Sequence, residues 1–431
     1  METQAKYYTA SKLSEMGKED LPTIYQTSAH LIYSSPATLA YNSPGAEGFG
    51  VKRAGLAIPE SVMLIVSPGC CGRNTSTLSS LPGYKHRFFY LTMDETDLIT
   101  GRHLKKIPKA VKEVVDSLEK KPSVVMICIT CVDALLGTDM ERVSRKAEEY
   151  AGVKVRPCYM YALTREGRLP PMSHVRQSLY SILQPRKKKN TTVNILGYFA
   201  PLLDDTEIYR YLKKAGVKTI NEISRCETFD KFMTMAEANF NLVLNAEARA
   251  VVPDFDERLH IPSIELTRFY DPVTNHRQYM ALANAIGIRI DDREDYAQAD
   301  EALRKLHERF GDLTFAIGEC VNANPFELAY TLLRYGFKVS EIYATLDESH
   351  YVYVDRIAKM SPDTKVYSNN EPTMLYYAIG DTKTDITIGK DAKYYNPNNL
   401  HLDWNEDIQP YGYSGSIHLT EAITQLLEGE E

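Results

Sequence analysis

S-V-M-L-I-V-S-P-G-C-C-G-R-N, residues 61–74, and S-V-V-M-I-C-I-T-C-V-D, residues 123–133, follow one pattern: a short β-branched apolar run and then, at once, cysteine. A continuous apolar run of this length predicts a buried strand. If both runs are parallel strands of one sheet, Cys70, Cys71 and Cys131 emerge at the carboxyl ends, where open α/β sheets place their ligands. Thiolates are the preferred donors to iron–sulfur clusters and zinc, and a cluster takes about four of them. Of the seven cysteines, Cys128 lies inside its strand, three positions before Cys131, and is expected to point into the sheet's packing. Two good donors per chain remain. A four-thiolate site therefore calls for two chains, each giving Cys71 or Cys70 together with Cys131.

Blander readings stand beside this one. A strand cysteine is more often a small core hydrophobe than a ligand. C-I-T-C, residues 128–131, also suits half of a zinc site or a redox dithiol. A redox motif normally opens a helix with its first thiol exposed, whereas here the first cysteine is inside the strand.

The limits of the chain narrow the function classes. Its 431 residues provide for two or three domains, each with a core of its own. A formal charge of −7 leaves no basic footprint for nucleic acid, and none is expected as a partner. No apolar run approaches the roughly 18 residues of a membrane span, and M-E-T-Q-A-K-Y-Y lacks a signal-peptide pattern. The expectation is a cytoplasmic protein with no membrane partner, where scattered cysteines mean thiols or metal rather than disulfides.

Around the cysteine strands the pattern repeats β-α-β, the mark of a parallel sheet covered by helices. R-F-F-Y-L-T-M, 87–93, reads as a strand. Ile107, Val111, Val114, Val115 and Leu118 keep helical spacing, a second helix spans about 138–150, and V-K-V-R-P-C-Y-M follows as a strand. The first thirty or so residues read as an arm with short helical pieces, and 34–50, rich in turn residues, as loop. Q-P-R-K-K-K-N-T-T, 184–192, is polar and basic with no apolar face, and reads as a linker at a domain boundary.

Beyond it lies an internal echo. V-N-I-L-G-Y-F-A followed by E-I-Y-R-Y-L-K-K-A-G-V-K-T-I-N-E-I matches L-T-F-A-I-G-E-C followed by E-L-A-Y-T-L-L-R-Y-G-F-K-V-S-E-I, with Glu207 on Glu327, Leu212 on Leu332, Gly216 on Gly336 and Lys218 on Lys338. Each half reads strand, loop, helix, glycine stop, strand. F-N-L-V-L-N and P-S-I-E-L-T add strands, 300–310 a helix, T-K-V-Y-S, D-I-T-I-G and N-L-H-L-D-W the last extended segments, and 416–427 a final helix. No G-x-x-x-x-G-K-[ST] occurs, so ATP, if it is used, is bound by another chain.

Together these pieces resemble the component 1 subunits of nitrogenase and its relatives. V-S-P-G-C-C-G places Cys71 on the family's cluster cysteine and leaves Cys70 as an extra; I-T-C-V-D-A-L-L-G-T-D places Cys131 on a second ligand. M-D-E-T-D-L-I-T-G, A-N-F-N-L-V-L-N through L-H-I-P-S, and Y-G-Y-S-G-S match further landmarks in order. The resemblance implies an α/β chain of three Rossmann-like domains with parallel sheets flanked by helices: 1–190 with the arm and the cluster, 191–305, and 306–431. It also implies an iron–sulfur cluster at a subunit interface and an ATP-hydrolysing iron protein as electron donor. No cysteine precedes Cys70, so one four-iron four-sulfur cluster shared between two subunits fits better than an eight-iron P-cluster. The family's cofactor cysteine is replaced by Asn245, and its cofactor histidine aligns with His401. His401 is either a packing histidine or a proton donor or axial ligand.

The expectation that follows is a nitrogenase-like reductase subunit, a homodimer or a heterodimer with a similar component 1 chain. Relatives with few cluster cysteines act on tetrapyrroles or on carbon–sulfur bonds. Arg73, His86, Arg87 and His401 are the candidate catalytic groups for proton delivery or carboxylate binding. Two alternatives remain: a metal-cluster assembly scaffold without catalysis, and a zinc-stabilised Rossmann-type transferase.

Overall fold

Val62–Ser67 and Val124–Ile129 are buried at every position, with none of the in-out alternation of a one-sided sheet. Such strands form only where helices cover both faces. In the structure, a computed structural model describing residues 4–26, 37, 50–69, 76–129, 136–159, 169–379 and 383–429, they do. The strands in chain order are β1 (Tyr8–Thr9), β2 (Val62–Ser67), β3 (Phe88–Thr92), β4 (Val124–Ile129), β5 (Lys154–Tyr159), β6 (Thr192–Leu196), β7 (Thr219–Glu222), β8 (Phe240–Val243), β9 (Ser263–Glu265), β10 (Thr314–Gly318), β11 (Lys338–Tyr343), β12 (Lys365–Tyr367), β13 (Ile386–Ile388) and β14 (Leu400–Leu402).

They make three sheets, ordered β3-β2-β4-β5, β7-β6-β8-β9 and β1-β12-β11-β10-β13-β14. Every pairing is parallel except that of β1 with β12. The expected α/β class with helix-flanked parallel sheets is therefore what the chain adopts.

The chain forms two compact units, one of residues 44–201 and 216–266, the other of residues 1–43, 202–215 and 267–431. In the first, helices His103–Ser117 and Met140–Ala151 press Ile107, Val111, Val114 and Val143 onto one face of the cysteine-bearing sheet, against Leu64, Val66 and Ile127. The opposite face, with Met63, Ile65, Met126, Cys128 and Cys158, packs against Val175 and Leu179 of helix Pro171–Tyr180 and Ala54 of helix Val51–Gly55. This second core continues through Leu196 and Val243, so it runs through both sheets of the unit.

In the second unit the amino-terminal arm does more than supply helical pieces. β1 pairs antiparallel with the edge strand β12, Tyr8 opposite Val366, and helix Ala10–Met16 sinks Ala10 and Leu13 into the core of that sheet. A strand of two residues has no periodicity to read, and its partner lies more than 350 residues away. Covering β12 removes a bare sheet edge. The final helix, expected over 416–427, spans Gly412–Glu428. Its first turn is held by a residue distant in sequence: Tyr411 supplies no side-chain cap, while Glu207 accepts the amides of Tyr413 (2.8 Å) and Ser414 (3.1 Å). Gly412, at φ 64°, is required there, because a Cβ would stand 1.9 Å from Glu207 Oε1. Helix Arg293–Phe310 likewise begins earlier than the apolar spacing indicated. Among the described residues no helix is long and apolar enough to cross a membrane.

Candidate functional site

β2 and β4 are hydrogen-bonded neighbours, in register with Val66 opposite Ile129. Both point the same way, so their carboxyl ends, Ser67 of β2 and Ile129 of β4, lie at one edge of one sheet. Cys70, Cys71, Arg73 and Cys131 themselves lie outside the described residues. What the strands establish is where their chain segments start. Neighbouring strands are about 4.8 Å apart, a spacing from which two short segments can bring two thiolates to one cluster. The donor chemistry of two cysteines suits half of a four-thiolate cage.

The rim of that edge is built from the acidic segment. β3 pairs with β2, Ser67 opposite Thr92, and Met93 N–H donates to Ser67 O at 3.1 Å. Asp94 then caps helix Glu95–Ile99, accepting the Asp97 amide at 2.7 Å, and the Asp97 side chain reaches back to the Asp94 amide. Asp97 is buried and lies 2.6 Å from Lys106 Nζ and 3.5 Å from Arg102 Nε. The Lys106 ammonium holds its carboxyl below the usual carboxylate range. His103, also buried, places Nδ1 3.0 Å from Asp97 O. The group Asp97, Arg102, His103 and Lys106 was not singled out from the sequence; the acidic caps, Asp94 followed by Asp97, were the available signal.

His86 and Arg87 lie at the other end of the sheet, just before β3 begins. Arg87 Nε donates to Ser61 O (2.9 Å), Nη1 to Gly83 O (3.3 Å), and Nη2 to Leu56 O (2.7 Å), Ile58 O (3.2 Å) and Ser61 Oγ (2.9 Å). That guanidinium ties together the turns leading into β2 and β3. His86 is exposed and adopts φ 62°. Neither belongs to the edge from which the cysteine segments depart.

Cys128 points into the packing, as expected, and its register partner across β5 is Cys158; both are fully buried. Cys226 is buried too, its thiol donating to Glu222 O at 3.2 Å, and burial pushes that thiol up to about 11, away from the thiolate form a metal needs. Among the described residues no group of three or more His, Cys, Asp or Glu side chains is arranged to hold a metal.

His401 sits on β14 opposite Thr387, with Nδ1 3.0 Å from Thr387 Oγ1 and Nε2 2.5 Å from Asp403 Oδ1. Burial lowers its pKa, and the neighbouring Asp403 opposes this without reversing it. Its ring is therefore neutral near pH 7, with both nitrogens engaged. Asn245, at the carboxyl end of β8, uses its side chain to cap the following turn, accepting Glu247 N–H at 2.8 Å.

Comparison with known proteins places this geometry. The profile of the family described as Nitrogenase component 1 type Oxidoreductase matches residues 47–428. The nitrogenase iron-molybdenum cofactor biosynthesis protein NifE of Sinorhizobium fredii is 23% identical over 409 residues, 87% of this chain and 79% of that protein. The NifE protein of Clostridium pasteurianum is 25% identical over 241 residues, 53% of this chain and 51% of that protein. The nitrogenase molybdenum-iron protein alpha chain of Methanosarcina barkeri is 26% identical over 156 residues, 35% of this chain and 29% of that one. Among solved structures, nitrogenase Cp1 at pH 6.5 superposes with a TM-score of 0.70 at 16% identity, over 93% of both chains, a likeness of fold.

Proposed function

Because the chain belongs to the nitrogenase component 1 type oxidoreductase family, we propose that it is a redox subunit holding one four-iron four-sulfur cluster at a subunit interface. Cys71 and Cys131 of each of two chains are the ligands, with Cys70 adjacent. The partner is a second copy or a similar component 1 chain, and an ATP-hydrolysing iron protein supplies the electrons. The observation that carries this reading is the parallel, in-register pairing of β2 and β4, the strands that precede the two cysteine segments in the chain, Val66 opposite Ile129.

When bound, the cluster supplies low-potential one-electron chemistry. The chain's own residues supply the setting. β2 and β4, the strands that precede the ligand segments in the chain, are held in register, and the buried Asp97, paired with the exposed Lys106, stiffens the rim next to them. His401, neutral and hydrogen-bonded to Asp403, is the group we assign to proton handling in the unit that contains it. The substrates consistent with this reading are tetrapyrroles and carbon–sulfur compounds. The division into domains 1–190, 191–305 and 306–431 belongs to the same proposal; its support is that the parallel strands β2–β5, β6–β9 and β10–β14 each fall within one of these spans.

A second reading, an assembly scaffold for a metal cluster, is favoured by the relatives named as cofactor biosynthesis proteins and by Asn245, whose amide caps a turn where a thiolate ligand would anchor a cofactor.

Anaerobic purification with iron, sulfide and zinc analysis tests the cluster. About four irons per two chains are expected. Cys71→Ser and Cys131→Ser should each lose most of the iron, while Cys128→Ser keeps it. Zinc without iron, or equal iron in all three variants, sinks the proposal. Turnover with a reduced iron protein separates the two readings, since a scaffold consumes no reductant in proportion to product.

A further inference from the structure

The cysteine-bearing sheet contains a second pair of sulfurs that cluster binding does not use. Cys128 on β4 and Cys158 on β5 are Cα partners in the register of two parallel neighbouring strands. Both side chains therefore leave the same face of the sheet. Both are free thiols with no exposed surface. The strand spacing of about 4.8 Å falls inside the roughly 4.4–6.8 Å window of Cα separations that a disulfide spans.

The surroundings are those of a reactive pair. The adjacent Cys158 thiol and, to a smaller extent, the positive charge of Lys52, buried on helix Val51–Gly55, draw Cys128 toward the thiolate against its burial. The two thiols consequently divide their roles. Cys128 is the one drawn toward the thiolate, and Cys158, whose sulfur also lies 3.6 Å from Val51 O, is held protonated well above its ordinary range.

The lid over the pair is thin. Helix Val51–Gly55 has five residues and no side-chain cap at its start. Gly55 lies directly on the Cys158 sulfur: a Cβ there would stand 3.1 Å from Cys158 Sγ and 2.6 Å from Met63 Cε. A helix of a single turn is marginal by itself, and its local opening exposes the pair without unfolding the sheet.

We propose that Cys128 and Cys158 are a redox-modification site, a cross-strand dithiol that closes to an intramolecular disulfide in exchange with a low-molecular-weight disulfide of the glutathione class. The Cys128 thiolate attacks one sulfur of the small disulfide, whose S–S bond breaks and releases one thiolate. Cys158 then passes its proton to solvent and attacks Cys128 Sγ of the mixed disulfide, releasing the second. Two protein thiols are oxidised, one small disulfide is reduced to two thiols, and electrons balance. Closure ties β4 to β5 three residues before Cys131, so the modification acts on the segment that the proposed cluster uses. The chemistry of the pair does not require the cluster.

The test is thiol mapping on the full chain, reduced anaerobically and then equilibrated in buffers of varied reduced-to-oxidised glutathione ratio. Acid quenching, alkylation and fragmentation mass spectrometry follow. The expected result is a species lighter by two hydrogens in which Cys128 is linked to Cys158, fully reversed by dithiothreitol and retained in a Cys131→Ser background. Cys158→Val should instead trap glutathione on Cys128. Lys52→Met should slow closure roughly three- to tenfold. Both thiols remaining alkylatable after equilibration in oxidised glutathione, or a mixed disulfide persisting on the wild-type chain, overturns the proposal. Loss of iron without this linkage bears on the cluster alone.

Discussion

Glu207 and Glu327 occupy equivalent places in the two echoing halves, each in the first turn of its helix, Glu207–Lys214 and Pro325–Arg334, and both became buried carboxylates that hold the start of another element. Glu327 accepts the amides of Tyr270 (2.9 and 3.0 Å to its two oxygens) and Asp271 (2.9 Å), with the Thr331 hydroxyl at 3.2 Å, immediately before helix Pro272–Ile286. Glu207 accepts the amides of Tyr413 and Ser414 and the Tyr279 hydroxyl at 2.5 Å, at the start of the last helix. The same local unit thus makes the same tertiary bond twice. The difference is water. Glu327 is sealed, whereas Glu207 borders a cavity of about 600 Å³ lined also by Asp204, Arg210, Lys213 and Asp295. Likeness in sequence set the chemistry of the pair, and the surroundings set how much each bond is worth.

The largest effect should come from removing the sealed carboxylate. Glu327→Ala leaves two buried amides unpaired and should cost about 3–5 kcal/mol in urea unfolding. Glu207→Ala should cost clearly less, since water from the cavity can take the freed amides; an equal or greater loss would break the comparison.

Proton linkage sharpens it. Burial pushes the Glu327 carboxyl up to about 8, against the donors that pull it down. With the folded value above the unfolded one, the folded chain holds an extra proton between them. The associated stability is complete below about pH 4.3, and is lost as pH rises toward the folded value, at up to about 1.4 kcal/mol per unit. Glu327→Gln should flatten this fall between pH 5 and 8, read by unfolding at each pH. Burial also raises Glu207, so Glu207→Gln should reduce the slope in the same direction.

The glycine stops come next. Gly216 and Gly336 both adopt left-handed backbone, φ 90° and 96°, but a Cβ on Gly216 meets open space while one on Gly336 would stand 2.7 Å from His307 Nε2. Either alanine variant should lose about 1–2 kcal/mol from backbone strain, and Gly336→Ala should lose more, with a lower Tm than Gly216→Ala. The smallest effect belongs to the matched lysines. Lys338 pairs with Asp312 at 2.9 Å on an exposed surface, so Lys338→Ala should leave Tm unchanged. A drop of several degrees would show that the echo carries more than its buried members.

Much of the architecture was legible because local pattern reports burial. The continuous apolar runs became β2 and β4, the spacing from Ile107 became helix His103–Ser117, and each glycine stop ended its helix as read. Boundaries slipped where the capping group came from elsewhere. Gly412–Glu428 starts four residues before its apolar pattern because Glu207 satisfies its first amides. Of the candidate site, Cys128's inward direction followed from its position within a strand, and that position is what the chain shows. The placement of His86 and Arg87 at the amino end of β3, and the role of Asp97 with Lys106, did not follow, because strand polarity relative to a site depends on which strands pair.

By itself the sequence determined the succession of strands and helices, the cysteines that follow the two apolar runs in the chain, and the twinned glutamates, all of which are written in spacing along the chain. Only the tertiary structure decided the pairings: β2 beside β4, Cys128 facing Cys158, the arm laid along β12, and Glu327 bound to the amides before Pro272. The physical reason is range. Periodicity and burial are set by neighbours a few residues away, whereas a register or a capping bond joins groups tens to hundreds of residues apart and exists only once the core has brought them together.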